Sequence, residues 1–228
     1  MEKPTFDLEK KFLKEGRYDF IAGIDEAGRG PLAGPVVACA AVLRSLPFQK
    51  GESDMWDLIR DSKTLSEKQR EKAFDFIQEN FYIGIGLCDH KTIDRINILE
   101  ASFLAMKKAV SQILRIMDQE LGIKDKDDQN LMILLDGNRE IPNFSHSQRA
   151  IIQGDKKVKS ISAASIIAKV TRDRIMLEMH EKFPDYGFDK NKGYGTKLHV
   201  ESLKEFGPCE IHRQSFAPVK SWSMEHGA

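Results

Sequence analysis

Apolar residues in this chain fall into two kinds of pattern that alternate along it: short unbroken runs, and longer stripes spaced three and four apart. Phe20, Ile21 and Ile24 predict a buried strand over residues 20–25. Residues 35–43 are almost continuously apolar and predict a second strand. A tight Gly/Pro loop joins the two, as in an antiparallel pair. Residues 81–88 predict a third strand, 131–138 a fourth and 150–155 a fifth. Between them lie the stripes. Ser66 and Gln69 have the spacing of a capping box, and Ala73, Phe74 and Ile77 carry a helix to about residue 80. Residues 91–120 predict a long helix, with Ile98, Phe103, Leu104, Met106, Val110, Ile113, Leu114 and Met117 facing inward. Residues 160–183 predict another, whose Ala163, Ala164 and Ser165 let it approach a sheet closely. Thr196 caps a last helix to about residue 206.

The polar remainder sets the divisions. Residues 1–17 read as a polar helix or a frayed lead-in, 47–57 as a surface loop with Met55 and Trp56 returning to the core, and 118–130 as an acidic bend. In the tail, Ile211, Phe216, Val219 and Trp222 suffice to pack across the body. With no repeat and no linker, the expectation is a lead-in (1–17), a main α/β unit (18–183) and an extension packed on it (184–228).

Composition narrows the class. At 228 residues, 41% hydrophobic and 31% charged, the chain can bury one good core. No apolar run approaches the roughly 18 residues of a membrane span, and residues 1–14 lack the apolar centre of a signal peptide. The three cysteines have no CxxC spacing, and Cys39 and Cys88 sit in apolar runs, so a reducing cytoplasm is the expected setting. A monomer is expected too, since no apolar stripe or heptad is left over. The net charge of zero argues against a nucleic-acid partner. Its distribution softens that, because residues 149–220 hold 14 Lys and Arg against 9 Asp and Glu.

Candidate chemistry lies where the apolar runs stop. Residues 20–24 end on Asp25 and Glu26, 131–135 on Asp136, and 150–154 on Asp155. Singly, Asp136 and Asp155 read more readily as turn or cap aspartates. Three buried runs ending alike are harder to dismiss: strands lying parallel and adjacent would converge their acids on one crevice beyond the carboxyl ends. A regular strand sends Asp25 and Glu26 to opposite faces, so both reach that crevice only if the backbone turns there, which Gly28 and Gly30 permit. Four clustered carboxylates repel one another unless a cation is present. No His/Cys cluster suggests zinc or copper, and all-oxygen ligands indicate Mg²⁺ or Mn²⁺. Two such ions clamp the attacking and leaving oxygens of a phosphoryl displacement, so phosphodiester hydrolysis is the reaction class implied. Gly28, Gly30 and Gly34 do not make a dinucleotide fingerprint, because Pro31 and Pro35 lead into a strand rather than a helix.

Gly23-Ile24-Asp25-Glu26-Ala27-Gly28-Arg29-Gly30-Pro31, Asp61-Ser62-Lys63, Leu135-Asp136-Gly137-Asn138, Gly154-Asp155-Lys156, the block from Ser162 to Asp173, and Lys192-Gly193-Tyr194-Gly195-Thr196 together resemble bacterial ribonuclease HII. The blocks occur in that family's order over roughly residues 18–220. The resemblance implies a ribonuclease H-like fold, a mixed five-stranded sheet flanked by helices with a helical C-terminal extension. It implies cleavage of RNA in RNA–DNA hybrids and at ribonucleotides embedded in duplex DNA. By it, Asp25, Glu26, Asp136 and Asp155 are the metal-binding catalytic carboxylates, Gly28, Arg29 and Gly30 grip the ribonucleotide 2′-hydroxyl, and Tyr194 packs against the adjacent sugar. Lys63 and the lysines of 156–159 are candidates for phosphate contacts. Thr64 stands where the family often has another lysine.

Overall fold

The computed structural model describes residues 3–45, 54–122 and 130–221. Five strands form one mixed sheet: β1 (Phe20–Ala27), β2 (Val36–Leu43), β3 (Phe81–Cys88), β4 (Leu131–Asp136) and β5 (Ser147–Ile151), in the order β3-β2-β1-β4-β5. The helices are α1 (Asp7–Lys14), α2 (Glu67–Asn80), α3 (His90–Ile96), α4 (Ile98–Leu121), α5 (Lys159–Lys182), α6 (Phe188–Asn191) and α7 (Lys197–Phe206). β1 is central: it runs antiparallel to β2 and parallel to β4, and β4 runs parallel to β5. The three strands that lead to acids are therefore parallel neighbours, the arrangement on which convergence of those acids depends.

The central strands are apolar without alternation because both faces are covered. On one face α4 sets Ala105, Ala109 and Ile113 against Ala22, Ile24, Ala38 and Ile133. On the other, α2 and α5 pack Phe74, Ile77, Ala164 and Ile167 against Cys39 and Ala41. α5 lies so close to β1 that a Cβ at Gly23 would fall 2.1 Å from the carbonyl carbon of Ser160. Glycine there, and small residues at 163–165, make the approach possible. Ser66 and Gln69 form both halves of the predicted capping box, and Thr196 accepts from the His199 amide at the start of α7.

Three segments differ from the sequence expectation. β1 does not turn at Asp25 and Glu26 but stays paired with β2 through Ala27, and the turn comes at Gly28. The predicted helix over 91–120 is broken at Asn97, whose backbone is left-handed and whose side chain caps α4 through the amides of Leu99 and Glu100. The fifth strand ends at Ile151, so Asp155 lies beyond it in a single 3-10 turn, Gly154–Lys156. Trp56 does return to the core, edge-on to Phe6 and Phe76. Residues 47–53, the middle of the 118–130 bend and Trp222 lie outside the described residues.

The two ends of the chain dock on this body. α1 buries Phe12 beside Ile21, Met132 and Val158, and Thr5 bridges Val158 in parallel. Tyr186, Phe188, Leu203, Ile211 and Val219 bury together with Leu32, Ala33 and Met176, so residues 184–221 pack against α5 and the β1–β2 loop. No described helix is long and apolar enough to cross a membrane. Cys39 and Cys88 are free and buried, as expected of small core residues.

Candidate active site

The carboxyl ends of β1 and β4 bring Asp25, Glu26 and Asp136 into one electrostatic unit. Alternation along β1 points Asp25 toward α5 and Glu26 toward α4; Asp25 is nearly buried and takes a hydrogen bond from Ser165 of α5. Ser165 in turn lies 3.1 Å from Ser62 of the Asp61-Ser62-Lys63 turn. Burial, then the charges of Glu26 and Asp136, hold the Asp25 carboxyl well above the usual range. Glu26 is raised chiefly by burial, with Asp136 adding and Arg29 opposing. Asp155, buried in its 3-10 turn, is raised by burial and then by Asp136 and Asp61, while Lys63 and Lys156 pull it down. Asp136 thus opposes ionisation of all three other acids. Nothing in folding favours such a cluster by itself.

The acids are held by protein donors. Asp25 accepts from the Glu26 amide at 2.7 Å, Asp136 from the Gly154 amide at 2.6 Å, and Glu26 from Arg29 at 3.1 Å. In these orientations no three His, Cys, Asp or Glu side chains among the described residues form a ready-made metal cage. The donor chemistry nonetheless fits a hard divalent cation: all oxygen, partly desolvated, and repulsive until neutralised. Beside Glu26 and Asp136 a groove of about 290 Å³ is walled by Arg29, Phe103 and Arg139.

The predicted recognition loops adjoin each other. Gly28 has φ +98°, and a Cβ there would lie 2.1 Å from Nε of Arg172, so only glycine fits. Gly30 sits beside the Tyr194 ring, 3.8 Å from where its own Cβ would be, and that ring is substantially exposed. Arg29 is half exposed. Lys63 is exposed and acts on Asp155 across the site.

Several residues that hold these loops were not assigned roles from the sequence. Arg172 and Arg213 are fully buried, and every hydrogen bond found for their guanidiniums goes to backbone carbonyls. Arg172 donates to Pro35 O, Lys192 O and Ala33 O at 2.9–3.0 Å. Arg213 donates to Gly34 O at 3.0 Å, Arg29 O at 2.9 Å and Gly28 O at 2.6 Å. Burial and the neighbouring Arg172 push the Arg213 guanidinium down to about 9. The loop carrying Gly28-Arg29-Gly30 is thus moulded on two cations, with its carbonyls drawn inward. A histidine pair ties in Tyr194. The Cys209 amide donates to Nδ1 of His212 at 2.9 Å, so His212 carries its proton on Nε2 and donates it to Nε2 of His199 at 3.0 Å. His199 is left with Nδ1–H, which donates to the Tyr194 carbonyl at 2.9 Å. Burial first, and His199 second, push His212 down to about 3, so the pair is neutral. Arg172 had a signal: it lies four residues from both Ala168 and Met176 on the buried stripe of α5, a charge where an apolar residue belongs. Arg213, His199 and His212 come together only through tertiary contacts.

The ribonuclease HII family model matches residues 22–219. The ribonuclease HII of Caldicellulosiruptor bescii is 49% identical, over 92% of this chain and 92% of its own. The crystal structure of ribonuclease H2 from Pyrococcus horikoshii OT3 aligns with a TM-score of 0.63 at 27% identity, covering 90% of this chain and 98% of that one. Bst-RNase HIII, crystallised with Mn²⁺, shares the fold at 16% identity and a TM-score of 0.66, over 91% of this chain and 70% of that one. Identity approaching one half over nine-tenths of the length exceeds what a shared ribonuclease H-like fold alone produces, and the chain belongs to the ribonuclease HII family of ribonuclease H nucleases.

Proposed function

We propose that this protein is an endoribonuclease that hydrolyses the RNA strand of RNA–DNA hybrids and cuts at ribonucleotides embedded in duplex DNA, leaving 3′-hydroxyl and 5′-phosphate ends. The observation that carries the reading is the mutually repulsive set of acids at the carboxyl ends of adjacent parallel strands. A module that only bound phosphates would gain nothing from clustered negative charge. Asp25, Glu26, Asp136 and Asp155 would hold two Mg²⁺ or Mn²⁺ ions. Bound there, the ions would supply an activated water and stabilise the departing 3′ oxygen.

The chain's own groups supply choice of substrate and position. The 2′-hydroxyl distinguishes RNA from DNA at a given site, and Gly28-Arg29-Gly30 is the segment we assign to it. The carbonyls of Gly28 and Arg29 are taken by Arg213, so the loop faces substrate with its amides and the Arg29 guanidinium. Tyr194, beside Gly30, offers an exposed ring for the neighbouring sugar. Ser165 and the Glu26 amide orient Asp25, the most perturbed acid. We place the enzyme in the cytoplasm and assign it as a monomer. The test is a set of DNA duplexes each carrying one ribonucleotide at a different position. The cut should move with the ribonucleotide, whereas a DNA nuclease of the same fold would cut without regard to it.

A further inference from the structure

The lead-in ahead of β1 takes no part in the site described above, yet the structure docks it at the edge of the acid cluster. The Thr5 amide donates to Lys157 O at 3.1 Å and the Lys159 amide to Thr5 O at 3.0 Å. These bonds fix the N-terminal segment against the residues that follow the Asp155 turn. Beneath it, α1 buries Glu9, whose carboxylate accepts from the Ser160 amide at the start of α5 at 3.0 Å. The segment is therefore anchored at two points and held in one register.

Between this segment, the turn at 60–64 and the turn at 153–157 runs a groove of about 420 Å³, a size that accepts a nucleotide unit rather than a lone phosphate. Lys3, Arg60, Lys156 and Lys157 line it, against one acid, Asp61. Asp61 is already engaged, accepting from the Lys63 amide at 3.0 Å. Arg60 is half-buried on the groove wall, and its Nε is buried without a hydrogen-bond partner, so the charge it adds to the groove is not neutralised through that atom. Lys3 pairs with Asp57, but both ends are exposed, so the pair is weak and the cation can be shared with a polyanion. Two of its lining residues, Asp61 and Lys156, act on the Asp155 carboxyl, so the groove adjoins the carboxylate cluster.

We propose that this groove holds the sugar-phosphate backbone of the nucleic-acid substrate beyond the cleavage point, with the N-terminal segment, through Lys3, as one of its walls. The proposal rests on the reading of the protein as a nuclease of duplexes. A strand whose reacting phosphate lies at the acids would bring its next backbone groups within reach of this groove and its cations. Such contacts position the duplex and carry no sequence information.

The test is the salt dependence of binding. In an Asp136→Asn background, the affinity for a fluorescent duplex with one ribonucleotide is measured over a salt series in Mg²⁺. The comparison is with Lys3→Ala/Lys157→Ala, and with Lys11→Ala/Lys14→Ala on the exposed side of α1 as a control of equal charge. Each phosphate no longer neutralised by a lysine should flatten the slope of log affinity against log salt by about 0.9. The groove variant should bind roughly tenfold more weakly with a flatter slope, and the control should match its parent. Equal slopes in all three proteins, or equal flattening in both double variants, would overturn the proposal. Cleavage of the same duplex by the protein with Asp136 intact reports separately. If cleavage is absent while the slope difference persists, the groove stands and the catalytic reading falls.

Discussion

Arg213→Lys isolates the idea that the substrate loop is moulded on a buried cation. The substitution keeps the charge and removes the planar fork. In the native protein the guanidinium serves four carbonyl oxygens, those of Gly28, Arg29, Gly34 and Pro35. A shorter ammonium reaches Gly34 at best, and Pro35 keeps its bond from Arg172. Gly28 O and Arg29 O are then orphaned, at about 1–3 kcal/mol for each buried acceptor, so the expected cost is about 3 kcal/mol. For a chain of this length that corresponds to a fall in Tm of about 6–12 °C. The loop can recover part of this by swinging its carbonyls into water, which Gly28 and Gly30 allow. In that case the loss in Tm is smaller, and kcat/KM on a single-ribonucleotide duplex falls at least tenfold. Melting curves and kinetics on one preparation distinguish the two routes. A variant within 2 °C of the parent with unchanged kcat/KM would refute the claim that Arg213 shapes the loop.

Asp25→Asn should raise the Tm of metal-free protein at pH 7.5 by about 2–6 °C, because it removes a buried charge that burial, Glu26 and Asp136 all disfavour. The sign follows from a folded-state pKa above the unfolded one: the penalty is fully present at high pH and is relieved as pH falls through the folded value toward about 4. The Tm advantage of the variant should therefore shrink on acidification toward pH 5, and an advantage that grows instead would contradict the electrostatic account. Millimolar Mg²⁺ or Mn²⁺ should reverse the order, stabilising the parent by about 2.7 kcal/mol at one hundred times Kd. Gly28→Ala forces φ +98° on an L-residue and sets its Cβ against Arg172; we expect a cost of at least about 2 kcal/mol and a fall in kcat/KM above tenfold. Native-like melting and turnover in that variant would show the loop to be softer than its packing implies.

How much of this was legible in the sequence depends on the range of the interactions concerned. Strands buried on both faces announce themselves as unbroken apolar runs, so β1, β2, β3 and β4 were readable within a residue or two of their ends. The parallel placement of β1, β4 and β5 was the condition on which the acids at the ends of those runs could converge, and the sheet meets it. Errors came where local geometry overrode pattern. Asn97 breaks a continuous helical stripe because its side chain can cap the following helix from a left-handed backbone. The apolar pair Ile151 and Ile152 looked like strand, yet pairing stops at Ile151 and Ile152 is two-thirds exposed. Asp25 and Glu26 were expected to need a turn to share a site. The strand continues past them, and they are coupled to Asp136 from opposite faces of its end. The histidine pair and Arg213 were not readable at all: His212 and Arg213 lie in an irregular tail with no period from which a buried polar group could stand out, and His199, on α7, meets His212 only through the tertiary fold.

The central claim is that four carboxylates with a bound divalent metal cut beside a ribonucleotide. Its most direct measurement is cleavage of a DNA duplex carrying one ribonucleotide, by the protein and by Asp136→Asn, in Mg²⁺ or Mn²⁺ and again in EDTA. Asn at 136 preserves an acceptor for the Gly154 amide, so the variant should melt as a folded protein. With metal, the parent should make a single cut at the ribonucleotide; in EDTA it should make none, and the variant should lose at least about a thousandfold in rate. Parent-like turnover by Asp136→Asn, or cleavage that survives EDTA, would contradict the claim.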